Sequence, residues 1–339
     1  MFDDGLLDDT DALRLAEPDL RHLAEAGARV RREAVSAAEP LLSAVSRLAD
    51  TPPRAVVAAG PDSRLLRAVL EPTCPVPFVA WPGAGLPGWA GALDLVVVLA
   101  PDGTDPGTAA GVAEAVRRGC QLVVATPEDS LVGRHVPGRY STLLPTVTGD
   151  QLATATVMLD LLDRIHLGPD TDPEVVAKAL DDVAVACGPH RDLATNPAKI
   201  LASGIAETSP VIWGGTVLAA RAGRRVAESI RRATGRAALA ADAEHLLPVL
   251  GAAAPVDVFA DPFADEVADL RPSLVVLDDG SEDPMVTETR DRLRAQADAN
   301  GVRIERVTTE ADGEVARYAS LLATGTFAAR YLELGLSGP

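Results

Sequence analysis

Short runs of β-branched and aliphatic residues recur along this chain, each followed by a stretch with helical spacing. That alternation sets the fold class. The runs at 55–59, 76–80, 93–100 and 121–126 are separated by helical patterns at 63–70 and 108–118, the latter closing at Gly119, a good helix C′ residue. After a break at Gly168-Pro169-Asp170-Thr171-Asp172-Pro173 the alternation resumes. Strands are predicted at 210–213, 273–277 and 302–307, and helices at 217–234, 285–300 and 312–335. Apolar runs of this kind belong to strands covered on both faces, and intervening helices of this length predict parallel sheets. The expectation is an α/β protein of two subdomains of similar design, each a parallel sheet flanked by helices. Ahead of them, residues 10–50 carry Leu and Val at helical spacing, punctuated by Pro18 and Pro40 and stopped by Pro52-Pro53. A helix over 149–167 ends the first unit, and one over 174–187 bridges to the second. Asn196-Pro197 then starts a helix in the preferred N-cap then Pro order. The stretch up to Arg271 that follows the helix ending near Thr234 reads as less regular.

Charge narrows the partners. With 31 Lys+Arg against 49 Asp+Glu the formal net charge is −18, which repels phosphate backbones and anionic lipid. Nucleic-acid and membrane partners are therefore not expected. At 47 % hydrophobic the 339 residues can bury a sizeable core, and few of the core residues are aromatic: three Trp, three Tyr and five Phe. Cys74, Cys120 and Cys187 are far apart in or beside apolar stretches and read as reduced core thiols. The acidic start Met1-Phe2-Asp3-Asp4 lacks the regions of a signal peptide, and no apolar run approaches a membrane span. The expected location is cytoplasmic.

Four turns draw attention. Gly83-Ala84-Gly85-Leu86-Pro87-Gly88 matches the dinucleotide pattern literally, but Pro87 interrupts it and a strand rather than a helix follows, so it reads as a connecting loop. After the third strand, Ala100-Pro101-Asp102-Gly103-Thr104-Asp105-Pro106-Gly107-Thr108 offers the hydroxyls of Thr104 and Thr108 at a helix start. Asp102 and Asp105 would repel a phosphate there. Asp105 with Pro106 also fits an ordinary N-cap, and the two carboxylates together a cation site. Gly60-Pro61-Asp62-Ser63 is a similar turn, and Trp213-Gly214-Gly215-Thr216 is its acid-free counterpart in the second half, able to hold an anion or simply to turn the chain. Of the five histidines no pair has metal-ligand spacing, so no metal is expected. Glu244-His245 is an acid–imidazole neighbour pair. No cofactor motif occurs.

The order of elements resembles the bifunctional phosphoglucose/phosphomannose isomerases, which are built from two sugar isomerase (SIS) subdomains. The likeness is carried by Leu86-Pro87-Gly88-Trp89, Asn196-Pro197-Ala198-Lys199, Pro210-Val211-Ile212-Trp213-Gly214, the Ala- and Arg-rich helix 217–232 and the stretch 327–334. It implies a helical segment over 1–53, a first SIS subdomain over 54–168, a linker helix over 169–195 and a second SIS subdomain over 196–339. A cytoplasmic homodimer acting on hexose 6-phosphates is implied as well. The composition resembles actinobacterial members.

Against the family pattern, the loop of S-x-S-G-N-T type that grips the sugar phosphate reads Ala100 to Asp105, with Asp102 and Asp105 in place of Ser and Thr. The Pro-Arg pair becomes Pro145-Thr146, and the segment with the catalytic Glu becomes Ile230-Arg231-Arg232-Ala233-Thr234. The family's H-N-E stretch falls near Glu244-His245-Leu246. Two functions follow as expectations. One is a hexose-phosphate isomerase of weak or lost activity, using Glu244 or His245 as base. Its sugar phosphate would be held by Ser63, Thr104, Thr108, Gly214, Gly215 and Thr216, with Arg221 or Arg224. The other is a non-catalytic carbohydrate-derivative-binding protein, or a dimeric regulatory or partner protein.

Overall fold

The computed structural model describes residues 2–253 and 270–337. They form an α/β protein with two parallel sheets flanked by helices, preceded by helices at the N-terminus. By packing, the chain resolves into two compact units. One comprises Ala26–Lys178 with Gly313–Ala316, and the other Met1–Glu25, Ala179–Asp312 and Arg317–Pro339.

The first unit holds α2 (Ala26–Ala49), β1 (Val56–Ala59), α3 (Ser63–Leu70), β2 (Phe78–Trp81), β3 (Leu95–Leu99), α4 (Pro106–Arg118), β4 (Gln121–Thr126), β5 (Ser141–Pro145) and α5 (Gln151–Arg164). Its sheet runs β2-β1-β3-β4-β5, all parallel, with Val56 opposite both Phe78 and Leu95, Leu95 opposite Gln121, and Leu122 opposite Ser141. β1 and β3 are buried along their whole length, as uninterrupted aliphatic runs require. Val57, Val96, Val98, Leu122 and Val124 pack with Ala109, Val112 and Ala115 of α4. The 83–88 stretch is a loop between β2 and β3, as its Pro suggests.

The second unit opens with α1 (Thr10–Ala24). It continues through the end of α6 (Pro173–Cys187), α7 (Pro197–Ile205), β6 (Ser209–Gly214), α8 (Val217–Thr234), β7 (Leu239–Ala240), α9 (Ala243–Gly251), β8 (Pro272–Asp278), α10 (Pro284–Ala299), β9 (Arg303–Thr308) and α11 (Glu314–Leu336). Its sheet order is β7-β6-β8-β9, again parallel, with Val211 opposite Leu239 and Leu274, and Leu274 opposite Ile304. Val211, Trp213, Leu274 and Val276 face Leu246 and Leu250 of α9 and Leu293 and Ala297 of α10. Gly223 lets α8 lie on Ile212, where an added Cβ would stand 3.3 Å from its methyl.

Several details differ from the sequence reading. Pro18 and Pro40 lie inside α1 and α2, and the break between those helices falls at Glu25. Packing of Leu20, Val30 and Leu41 outweighs the one backbone bond each proline removes. Part of the stretch read as less regular forms β7 and α9, while 254–269 lie outside the described residues. The edge strand β5 also escapes a pattern search.

Two cysteines are buried and Cys74 is half-buried; all three are free. Burial pushes the Cys187 thiol up to about 11. Among the described residues no helix is long and apolar enough to cross a membrane. At the end of α5, His166 takes the left-handed conformation (φ 58°) while the Leu167 amide reaches back to the Leu162 carbonyl at 2.8 Å. A side chain is strained there, so His166→Gly should raise stability by about 0.5–1 kcal/mol in urea unfolding. A loss of stability would contradict this account of the helix end.

Candidate functional site

In each sheet the chain passes from its first strand to one neighbour and later returns on the other side. The loops leaving those two strands therefore diverge at the carboxyl edge, where α/β sheets hold ligands. In the first sheet the divergence lies between β1 and β3, in the second between β6 and β8.

Between β6 and β8 lies a cavity of about 490 Å³. Its floor is the end of β6, where Trp213 meets Gly214, Gly215 and Thr216, and Val286 of α10 closes it. Both glycines are needed for this closeness. A Cβ on Gly214 would stand 2.2 Å from the Ala219 carbonyl carbon, and one on Gly215 would stand 2.3 Å from a Val286 methyl. Thr216 caps α8, accepting from the Ala219 amide at 3.1 Å, and its hydroxyl donates to the Asp279 carboxylate. Val217, Ala220 and Arg224 of α8 make one wall, and Met285 and Thr289 of α10 the other.

Asp242 and Ala243, at the start of α9, complete the lining with Asp283. Asp283 caps α10 through the Met285 amide (2.8 Å). Asp242 stands at the N-cap position of α9, but its side chain makes no bond to that helix's amides; its carboxylate lies 3.9 Å from Arg224. Behind the cavity, Asp278 at the end of β8 is nearly buried and is gripped by Arg290 (2.9 Å), Arg306 (2.6 Å) and the Gly280 amide (3.0 Å). Burial alone would raise its pKa, but the Gly280 amide and the two guanidinium groups hold the carboxyl below the ordinary aspartate value.

Of the residues singled out in the sequence, this cavity brings together Gly214, Gly215, Thr216 and Arg224. It does not take in Arg221, which bonds the buried Tyr318 of α11. Glu244 and His245 are exposed on α9, because Ala243, Leu246 and Leu250 form that helix's buried face. Asp242, Asp283 and Thr289 went unremarked in the sequence. Asp283-Pro284 has the same N-cap then Pro signature as Asn196-Pro197, so its helix start was legible.

The remaining candidates lie at the first sheet. Ser63 is buried at the start of α3, its amide bonded to the Gly60 carbonyl (3.1 Å), and Asp62 accepts from the Gln151 side chain. Thr104 is exposed. Asp105 is the N-cap of α4, as one reading of the turn had it. It takes both the amide (2.6 Å) and the hydroxyl (2.7 Å) of Thr108, which hold its carboxyl below the usual range. The start of α4 thus already holds a carboxylate. Among the described residues no group of three or more His, Cys, Asp or Glu is placed to hold a metal ion.

Residues 194–335 match the family described as the bacterial phospho-glucose isomerase C-terminal SIS domain. No curated protein matches the chain by sequence. Among solved structures, the tagatose-6-phosphate ketose/aldose isomerase of Escherichia coli superposes with a TM-score of 0.66 at 13% identity, over 96% of this chain and 94% of that one. The C-terminal domain of glucosamine-fructose-6-phosphate aminotransferase from Francisella tularensis gives 0.62 at 10% identity, over 93% and 95%. A glucose-6-phosphate isomerase like protein of Thermus thermophilus gives 0.50 at 18% identity, over 91% and 92%. At such identities the likeness is one of fold. The chain therefore shares the fold of these solved structures, two parallel sheets flanked by helices, and its residues 194–335 are similar to the bacterial phospho-glucose isomerase C-terminal SIS domain.

Proposed function

We propose that the β6–β8 cavity binds a carbohydrate derivative, a phosphorylated sugar or a close relative of one, and that the chain interconverts hexose 6-phosphates weakly or not at all. The observation that carries this reading is the convergence, in one cavity of about 490 Å³, of the Gly214-Gly215-Thr216 turn, Arg224 and the carboxylates of Asp242 and Asp283. Arg224 supplies a charge for an anionic group. Asp242 and Asp283 accept from sugar hydroxyls, and Trp213 and Val286 give the ring an apolar floor. Isomerisation also needs a base poised to carry a proton between C1 and C2, and an acid to open the ring. Among the described lining residues none is His, Lys, Cys or Tyr; of the two carboxylates Asp283 is engaged as the cap of α10 and Asp242 lies 3.9 Å from Arg224, and the Glu244–His245 pair is not in the lining. Asp105, already seated on the start of α4, favours the second reading, a non-catalytic dimeric regulatory or partner protein.

The test is to incubate the protein with glucose 6-phosphate, mannose 6-phosphate and fructose 6-phosphate. Interconversion is followed by NMR and binding by calorimetry. At least one sugar phosphate should bind, and Arg224→Ala should weaken that binding by at least about tenfold. Turnover should stay far below the roughly 10 s⁻¹ of an ordinary enzyme. Turnover near that rate would refute the loss of activity, and silence with all three sugars would refute the ligand.

A further inference from the structure

Three helices begin at the β6–β8 cavity: α8 after Thr216, α9 after Asp242 and α10 after Asp283. A helix start offers spare amides and a positive partial charge, which suits an anion. Each of these starts already has a carboxylate beside it. Asp242 and Asp283 hold the N-cap positions of their own helices. α8 differs, because its cap is a neutral threonine and the Trp213-Gly214-Gly215-Thr216 turn contains no acid. Its carboxylate comes from another strand. Asp279, just past the end of β8, accepts the Thr216 hydroxyl and is itself held by the Ser281 amide at 3.2 Å. The turn that is acid-free in sequence is not acid-free in space.

The Thr216 hydroxyl has one proton and two lone pairs. The proton goes to Asp279, and one lone pair takes the Ala219 amide at 3.1 Å. What remains is a lone pair, which accepts from a ligand hydroxyl and has nothing to give a phosphate oxygen. The Asp279 charge, one hydrogen bond away from the cap, further opposes any anion that approaches the first-turn amides of α8. Farther along the same helix stands Arg224, two turns and so about 12 Å from Thr216 along the axis. Asp242 approaches it only to 3.9 Å, beyond hydrogen-bond length. The cavity therefore has an acceptor end at Thr216 and a cationic end at Arg224.

We propose that Asp279 is a specificity-determining residue of this cavity. Acting through Thr216, it bars anionic groups from the start of α8, so that a sugar phosphate lies with its phosphate at Arg224 and a hydroxyl at Thr216. The orientation of the sugar rests on the ligand reading above; the exclusion of anions does not. Asp279 works by its position and charge, without lining the cavity itself.

The test is a phosphorus NMR titration of the full chain and its variants with inorganic phosphate and with the three sugar phosphates. Asp279→Asn keeps an acceptor for the Thr216 hydroxyl and removes the charge. It should bind inorganic phosphate at least about tenfold tighter than the unchanged protein does. The gain should persist when Arg224→Ala is added, because the new position is the start of α8. Asp279→Ala, which also returns the Thr216 proton, should show the same gain, and Asp279→Glu, which keeps the charge, should show none. A purely structural role for Asp279 predicts no gain in any of them. Failure of the ligand reading leaves a different mark: the unchanged protein binds none of the three sugar phosphates, while Asp279→Asn still gains inorganic phosphate. An unaltered phosphate affinity in both Asp279→Asn and Asp279→Ala would overturn the proposal, as would a gain that Arg224→Ala abolishes or that Asp279→Glu shares.

Discussion

Replacing Lys199 with alanine should cost the β6–β9 unit about 3–5 kcal/mol, the largest loss expected of any single substitution of a side chain in this protein. The ammonium of Lys199 is wholly buried. It donates to the Asp8 carboxylate at 2.7 Å and to the carbonyl oxygens of Pro189 (3.0 Å) and Arg191 (2.8 Å), and it lies 5.4 Å from the centre of the Tyr331 ring. One cation thus ties the segment before α1, the loop before α7 and helix α11 to the start of α7. Alanine removes all four contacts, takes the ammonium donor from the Pro189 and Arg191 carbonyls and opens a cavity where the aliphatic stem packed. Lys199→Met restores the stem but not the donors, and should recover only part of the loss. Urea unfolding gives the size of the effect, and hydrogen exchange should place it in this unit. A loss under about 1 kcal/mol would mean that Lys199 is an incidental burial.

The same knot predicts a pH dependence. The hydrogen bond from Lys199 lowers the Asp8 carboxyl below its ordinary value, outweighing what little burial would do in the other direction. A depressed carboxyl stabilises the fold fully above its unfolded pKa of about 3.9, and that contribution is lost as the pH falls through the folded value. Asp8 is 43% exposed, so solvent screens the pair and the acid effect should be modest beside the alanine substitution. The slope of stability against pH below about 4 should flatten in Lys199→Met, where the carboxyl has lost its partner.

Lys199 also shows what the chain discloses in one dimension and what it withholds. Asn196-Pro197-Ala198-Lys199 marks a helix start, and the structure caps α7 on Asn196 with the Ala198 amide at 3.0 Å. That its lysine is buried under α11 depends on a contact with Tyr331, which no local pattern encodes. The strands divide in the same way. β3 and β4 are long aliphatic runs and could be read directly. β5 begins Ser141-Thr142 and ends on Pro145, a composition an edge strand tolerates and a pattern search passes over. β7 has two residues, too few for any periodicity.

At the candidate site, the Gly214-Gly215-Thr216 turn is local and was legible. Arg224 could be told from Arg221 only once Tyr318 was known to sit over the latter. Asp242 and Asp283 reach the cavity because β7 and β8 lie on either side of β6, a fact of topology. The exposure of Glu244 and His245, by contrast, was written in the Ala243, Leu246, Leu250 spacing.

The second large effect should follow from Gly214→Ala. Its backbone has no positive φ, so the requirement for glycine is one of space. The added methyl would stand 2.2 Å from the Ala219 carbonyl carbon and 2.5 Å from the Ala220 nitrogen, and neither is a side chain that can rotate away. Relief requires α8 to move off the sheet, yet Leu218, Ala222 and Val226 hold it there. A cost of about 3 kcal/mol is expected, with loss of the cavity and of any ligand in it. Gly215→Ala makes the informative contrast. Its methyl would meet the Val286 side chain and, at 2.9 Å, the edge of the Trp213 ring, side chains rather than backbone, so the fold should survive with a smaller loss. The same methyl narrows the cavity floor, and sugar-phosphate binding should weaken while the unfolding midpoint changes little. If Gly215→Ala binds as the unchanged protein does, the ligand does not rest on this turn. If Gly214→Ala is as stable as the unchanged protein, the close approach of β6 to α8 is not what builds the cavity.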